Sequence, residues 1–144
     1  MQMTVACGNA VFACGIAKKG AANLRHRLGL LRALSVGAEI DLDQIPVLRE
    51  TWNGARQDVI PDGSRNNYHF VRDSVDWPSE ISLAAQMIMC DAQTSGGLLI
   101  ALPRGKAKGL LGQLRADGNT EAWMIGEITP AQHPVIRVIQ NPPA

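Results

Sequence analysis

The chain has 144 residues, a formal net charge of +1, and is 46% hydrophobic and 19% charged. That composition excludes a disordered chain, and the near-neutral charge excludes strong attraction to nucleic acid or acidic membranes. The longest apolar runs, such as residues 96–102, fall far short of the ~20 residues that cross a bilayer, so a single soluble domain is expected.

The start, "MQMTVACGNAVFACG", is mildly apolar, and no basic residue precedes its apolar part. It is not expected to be a signal peptide. Residues 1–20 mix Gly, Ala, Cys and Asn without a period, and no element is assigned to them. From about Ala21 a helix is predicted, because Leu24, Leu28, Leu31 and Leu34 recur at helical spacing, with Gly37 as its stop. In "AEIDLD", Ala38, Ile40 and Leu42 alternate with Glu39, Asp41 and Asp43, the period of a half-buried strand.

A short helix is predicted after Pro46. The stretch "PDGSRNN", residues 61–67, reads as a loop, since proline, aspartate, glycine and asparagine all favour turns. "DWPSE" introduces the next helix, with Ser79 as cap and Glu80 favourable to the dipole. Residues 81–90 are apolar nearly all round, which predicts a buried helix. A buried strand follows over Gly97 to Leu102, closed by Pro103. An amphipathic helix carrying Ala107, Leu110, Leu111 and Leu114 comes next and ends at Gly118. "EAWMIGEIT" and "PVIRVIQ" read as two further strands. The expected architecture is therefore an α+β layered domain, one mixed sheet with helices packed on it.

Two segments offer chemistry. In "DAQTSGGLL", Asp91, Thr94 and Ser95 bring polar side chains, while Gly96 and Gly97 let backbone N–H groups approach an anion. No Gly-Lys-Ser/Thr follows, so this is not a Walker loop. A phosphate cradle and a plain turn before a strand both stand. In "DGSRNN", Ser64, Arg65, Asn66 and Asn67 can hold a phosphate through charge-assisted bonds. A solvated surface loop fits the same residues. Asp41 and Asp43 share one strand face, either as a magnesium pair or as its polar outer side. Arg25, His26 and Arg27 read as a solvated helix face. Cys7, Cys14 and Cys90 are odd in number and widely spaced, which predicts reduced thiols and a cytoplasmic setting. No cysteine or histidine pair has zinc spacing, so no metal ligand is assigned.

Taken in order, "GAEIDLDQIPVL", "VIPDGSRNN", "VDWP", "DAQTSGGLLIALP" and "MIGEIT" resemble the C-terminal half of the selenophosphate synthetases (selenide, water dikinases). "DAQTSGGLLIALP" is the most specific, similar to the family's Asp-Pro-Gln-Thr-Ser-Gly-Gly-Leu-Leu element. "PDGSRNN" is a looser match to its Pro-Gly-Gly-Thr-x-x-Asn loop. The resemblance spans about Leu28 to Ile139. It implies the C-terminal fold shared with aminoimidazole ribonucleotide synthetase, a domain over 28–144 preceded by an atypical segment over 1–27. It also implies formation of selenophosphate from selenide, ATP and water with magnesium present, a transferase step that serves selenocysteine synthesis.

The family's reactive Cys or selenocysteine, its lysine and most of its metal-binding aspartates belong to an N-terminal domain that has no counterpart in these residues. The family's Thr-Asp-Val-Thr-Gly-Phe-Gly element is replaced by "CGNAVFACGIAKKG", which has no aspartate, and Ala92 stands where the family has proline. No catalytic residue is therefore assigned, and ATP and magnesium are implied by the family rather than by ligands retained here. The cofactor-facing candidates are Ser64, Arg65, Asn66, Thr94, Ser95, Gly96 and Gly97. The expectation is a synthetase C-terminal portion that is inactive alone. The alternative is a non-catalytic module that forms a homodimer or docks on a full-length synthetase or a separate N-terminal half. Neither nucleic acid nor membrane is expected as a partner.

Overall fold

In a computed structural model, the leucine stripe forms the first helix, α1, Leu24–Leu34, and Leu24, Leu28 and Leu31 are fully buried. The structure describes residues 10–15, 24–92, 98–120, 122–133 and 135–140. The stop after α1 is not Gly37. Ser35 turns the chain with φ +52°, and Gly37 lies buried inside the following strand. That strand, β2, Val36–Asp41, keeps the expected alternation: Val36, Ala38 and Ile40 are buried while Glu39 and Asp41 are half-buried. At its end the Asp41 carboxylate accepts the Asp43 N–H at 3.0 Å and caps a single 3-10 turn over 42–44.

Helix α2, Arg49–Arg56, follows Pro46 at a short distance. The expected loop over 61–67 is instead the start of a helix, α3, Asp62–Val71. Turn-forming residues are also helix-starting ones. Pro61 sits extended at the N-cap, and Asp62 places its charge against the positive end of the helix dipole. Ser64, Asn67 and Val71 then form the buried stripe, an i, i+3, i+7 set that composition hides because two of its members are polar. A two-residue strand, β3, Val75–Asp76, leads to α4, Leu83–Met89. The cap of α4 is Ser82 rather than Ser79: its hydroxyl accepts the Ala85 N–H at 3.2 Å. Met87, Ile88 and Met89 are buried as predicted, although Leu83 is exposed.

Three further elements follow the sequence reading: α5, Arg104–Ala116; β5, Trp123–Pro130; and β6, Ile136–Ile139. The strand before them, β4, Leu98–Pro103, is not the buried strand expected: residues 99–102 are half-buried because β4 lies at the edge of the sheet, and Pro103 is its last residue rather than its stop. Residues that gave no period supply one more strand, β1, Ala10–Gly15. The result is an α+β domain with one mixed six-stranded sheet in the order β3-β6-β2-β5-β1-β4. β1 pairs antiparallel with both β4 and β5, and β2 pairs antiparallel with β5. The two pairings of β6, with β2 and with β3, are parallel. α5 packs on β1, β4 and β5, and α1 packs on β2 and α3. Against α4 lie both α2 and α3.

One irregularity sets the core face of β5. Phe12 of β1 pairs with Gly126, but Ala13 pairs with Met124, so Ile125 is the extra residue of a bulge. A regular strand sends residues three apart to opposite faces. The bulge breaks that parity and lets Ile125 and Ile128 both be buried. Beside it, Gly126 lies so close to β2 that an added Cβ would strike the Glu39 carbonyl oxygen and stand 3.0 Å from the Ile40 Cα.

Gly126→Ala is expected to destabilise the fold by about 2 kcal/mol or more, since backbone cannot yield as a side chain can. Gly109→Ala, in α5 where a Cβ would meet nothing within 4 Å, is expected to stabilise by about 0.5–1 kcal/mol. Urea midpoints of the two variants check the opposite signs.

Candidate functional site

α3 and the end of α4 bring the two chemically interesting segments together. The Ser64 hydroxyl donates to Asp91 Oδ1 at 2.8 Å and accepts the Ala92 N–H at 3.1 Å. One turn on, Asn67 Nδ2 donates to the buried carbonyl of Cys90 at 3.0 Å. Asn67 Oδ1 accepts in turn from Arg25 Nη1 at 3.3 Å. Among the described residues, Ser64 and Asn67 are the buried polar side chains, and each is satisfied by this clasp. Gly63 lets the two sides of the clasp close, because a Cβ there would come within 2.8 Å of the Ala92 Cβ. The two halves of the candidate site thus meet at residues 63–67 and 90–92.

Beside the clasp opens a cavity of about 380 Å³ between α2, α3 and α4. Its walls are mostly apolar, with Ala55, Ile60, Met87 and Ile88, and Ser64 and Asp91 lie on its polar side together with Glu50 and Thr51. Carboxylates without a lining cation give it acidic character. Cys90, fully buried behind it, has its thiol pushed from 9.0 up to about 12 by burial. That thiol stays protonated at neutral pH and is no nucleophile.

Of the predicted site residues, Ser64 is buried with its hydroxyl engaged on both sides. Arg65 is half-buried and pairs with Asp58 at 2.9 Å, and Asn66 is exposed on α3. Thr94, Ser95, Gly96 and Gly97 lie outside the described residues, as does the loop reading for 93–97. The sequence reading of Arg25 as a solvated position missed its second role: besides holding Asn67, its guanidinium lies 4.8 Å from the centre of the Phe70 ring. Arg32 approaches the same ring from 5.8 Å. Spacing could have flagged this pairing only through the helix contact of α1 with α3, which is tertiary. Among the described residues no group of three or more His, Cys, Asp and Glu is placed to hold a metal ion, and no helix is long and apolar enough to cross a membrane.

Comparison with known proteins adds identity to this geometry. The family model for the C-terminal domain of AIR synthase related protein matches residues 24–139. A selenide, water dikinase of Aliarcobacter butzleri is 36% identical over 102 residues, covering 71% of this chain and 30% of that protein. One from Clostridioides difficile is 34% identical over 116 residues, covering 81% and 33%. Another, from Porphyromonas gingivalis, is 38% identical over 112 residues, covering 76% and 31%. The chain spans about a third of the length of these curated relatives.

Ser64→Ala and Asn67→Ala are each expected to cost about 1–3 kcal/mol, because each leaves partly buried polar groups without a partner. Urea denaturation measures this, and losses below the measurement error would remove the clasp from the account. Cys90 predicts a pH effect. An unfolded thiol ionises near 9.0 and the folded one only near 12, so its contribution is intact below pH 9 and falls away as the pH rises toward 12. Stability should therefore drop more steeply over that interval in the native chain than in Cys90→Ala; parallel slopes would contradict the assignment.

Proposed function

Because the chain belongs to the family of AIR synthase related C-terminal domains, we propose that it is the C-terminal portion of a selenide, water dikinase, working in the cytoplasm. One observation carries the reading. Two segments that resemble that family, 61–67 and 90–92, are locked against each other through Ser64 and Asn67. The clasp fixes the positions of Asp91 and Ala92. On this reading the domain's task is positional: it holds residues 90–92 at a set place for a phosphoryl-transfer centre completed by other parts of a synthetase.

The described residues do not complete that centre themselves. Phosphoryl transfer requires metal ions bridging phosphates and a positioned nucleophile. Ser64 and Asp91 already satisfy each other, Arg65 is held by Asp58, and the Asp41 carboxylate caps a turn. The described donors therefore do not fit a magnesium–ATP complex, and no step is assigned to them.

A second reading, a module that docks on a full-length synthetase, on a separate N-terminal half or on its own copy, is favoured by exposed apolar side chains. Val59 is 71% exposed and Leu83 59%, apolar side chains that a partner would cover.

These 144 residues, purified and given ATP, magnesium and selenide, are expected to release no selenide-dependent AMP, by chromatographic assay. Turnover would refute the proposal. Light scattering of the same sample separates the readings: a concentration-independent monomer disfavours self-association.

A further inference from the structure

The face of α2 turned away from the Ser64–Asp91 cavity borders a second, larger depression of about 510 Å³. Arg49, Trp52, Asn53 and Arg56 line it from α2, at i, i+3, i+4 and i+7, so they share one side of the helix. Gln140, just past β6, and Glu80, ahead of α4, also line it. Trp52 is half-buried and packs on the core, which gives the depression a rigid floor. The Arg56 guanidinium lies 5.7 Å from the centre of the Trp52 ring. Stacking of that kind orients a guanidinium while leaving its N–H donors free at the edge.

The charges are not neutralised in place. Among the described residues neither Arg49 nor Arg56 forms a salt bridge, although Glu80 lines the same hollow. Arg65, Arg72, Arg104 and Arg137, by contrast, each meet a carboxylate. Gln140 is anchored, its Nε2 donating to Asp43 Oδ1 at 3.3 Å. Two unneutralised guanidinium groups start from backbone positions about 10 Å apart along the helix, seven residues at 1.5 Å each. Side chains of that length can converge on two neighbouring oxyanion groups across the Trp52 floor.

The geometry points to a binding site for a compact polyanion of the diphosphate class, bridged between Arg49 and Arg56 over Trp52, with the Asn53 side chain in reach as a further donor. The site is separate from the clasp and does not rest on the synthetase reading. α2 stands between the two hollows and gives the other one Glu50, Thr51 and Ala55. The two sides of one short helix thus carry opposite charge. Glu80 narrows the choice of ligand, since it repels oxyanions that reach its wall and leaves the α2 side as the favoured seat.

Inorganic pyrophosphate is the probe, titrated calorimetrically at low ionic strength into the whole chain. Saturable binding is expected, at least tenfold tighter than orthophosphate because only the longer ion engages both arginines. Arg49→Gln and Arg56→Gln remove the guanidinium on an exposed surface while leaving a polar amide, and each is expected to weaken pyrophosphate about tenfold while melting as the native chain does. Arg137→Gln, on another face, should change nothing, and Glu80→Gln should tighten binding. Amide and indole resonances supply an independent readout: shifts should centre on Trp52, Asn53 and Gln140. Absence of saturable binding would overturn the proposal. So would equal affinity for both phosphates, equal losses in the Arg137 control, or resonance shifts centred elsewhere.

Discussion

The carbonyl of Cys90, at the buried end of α4, needs a donor, and the Asn67 side chain from α3 supplies it. Helix ends leave their last carbonyls without partners in the helix, and an unmet buried acceptor costs more than an ordinary hydrogen bond contributes. With Ser64 answering Asp91 and Ala92 a turn earlier, the register of α3 on α4 has little freedom. Arg25 closes the arrangement from α1 by donating to Asn67. Three helices are thereby tied at one point, and both the cavity and the point where the chain leaves toward Gln93 inherit their positions from it.

The sheet meets a comparable demand in backbone rather than side chains. β5 must present Ile125 and Ile128 to one core, and a regular strand cannot do so with residues three apart. The bulge opposite Phe12 and Ala13 supplies the change of parity. Gly126, next to it, allows β2 to approach without a clash. The core that results runs from α1 through β2, β5 and β6 to the end of α4. Cys90 belongs to it, which explains why its thiol is held protonated, while membership in a reactive site would require a polar or positive setting.

Family membership and local chemistry speak to different questions in this protein. The match over 24–139 and the likeness to selenide, water dikinases identify the domain. The described polar residues, by contrast, are largely spent on holding it together. Ser64, Asn67, Asp91 and Asp41 are bonded within the domain. The arginines of α2 without a salt bridge are not spent in this way: their helix position and the Trp52 ring beside Arg56 are fixed while their charges stay open.

Periodicity alone determined α1, β2 and α5. Each places its apolar residues on one face, and a pattern of that kind is local. Ordered motifs determined the family, since "DAQTSGGLLIALP" and its companions keep their sequence and order whatever the packing. The start of α3 was hidden because its buried stripe is partly polar: Ser64 and Asn67 enter the core only because α4 offers bonding partners 23 to 28 residues away in the chain. β1 was hidden for a related reason, its place between β4 and β5 being set by strands that come about ninety residues and more later. Only the tertiary structure decided which polar residues would be consumed by the fold and which left for a ligand. A side chain's hydrogen-bonding partners are set by distance in space, and sequence spacing carries that information only within a few residues.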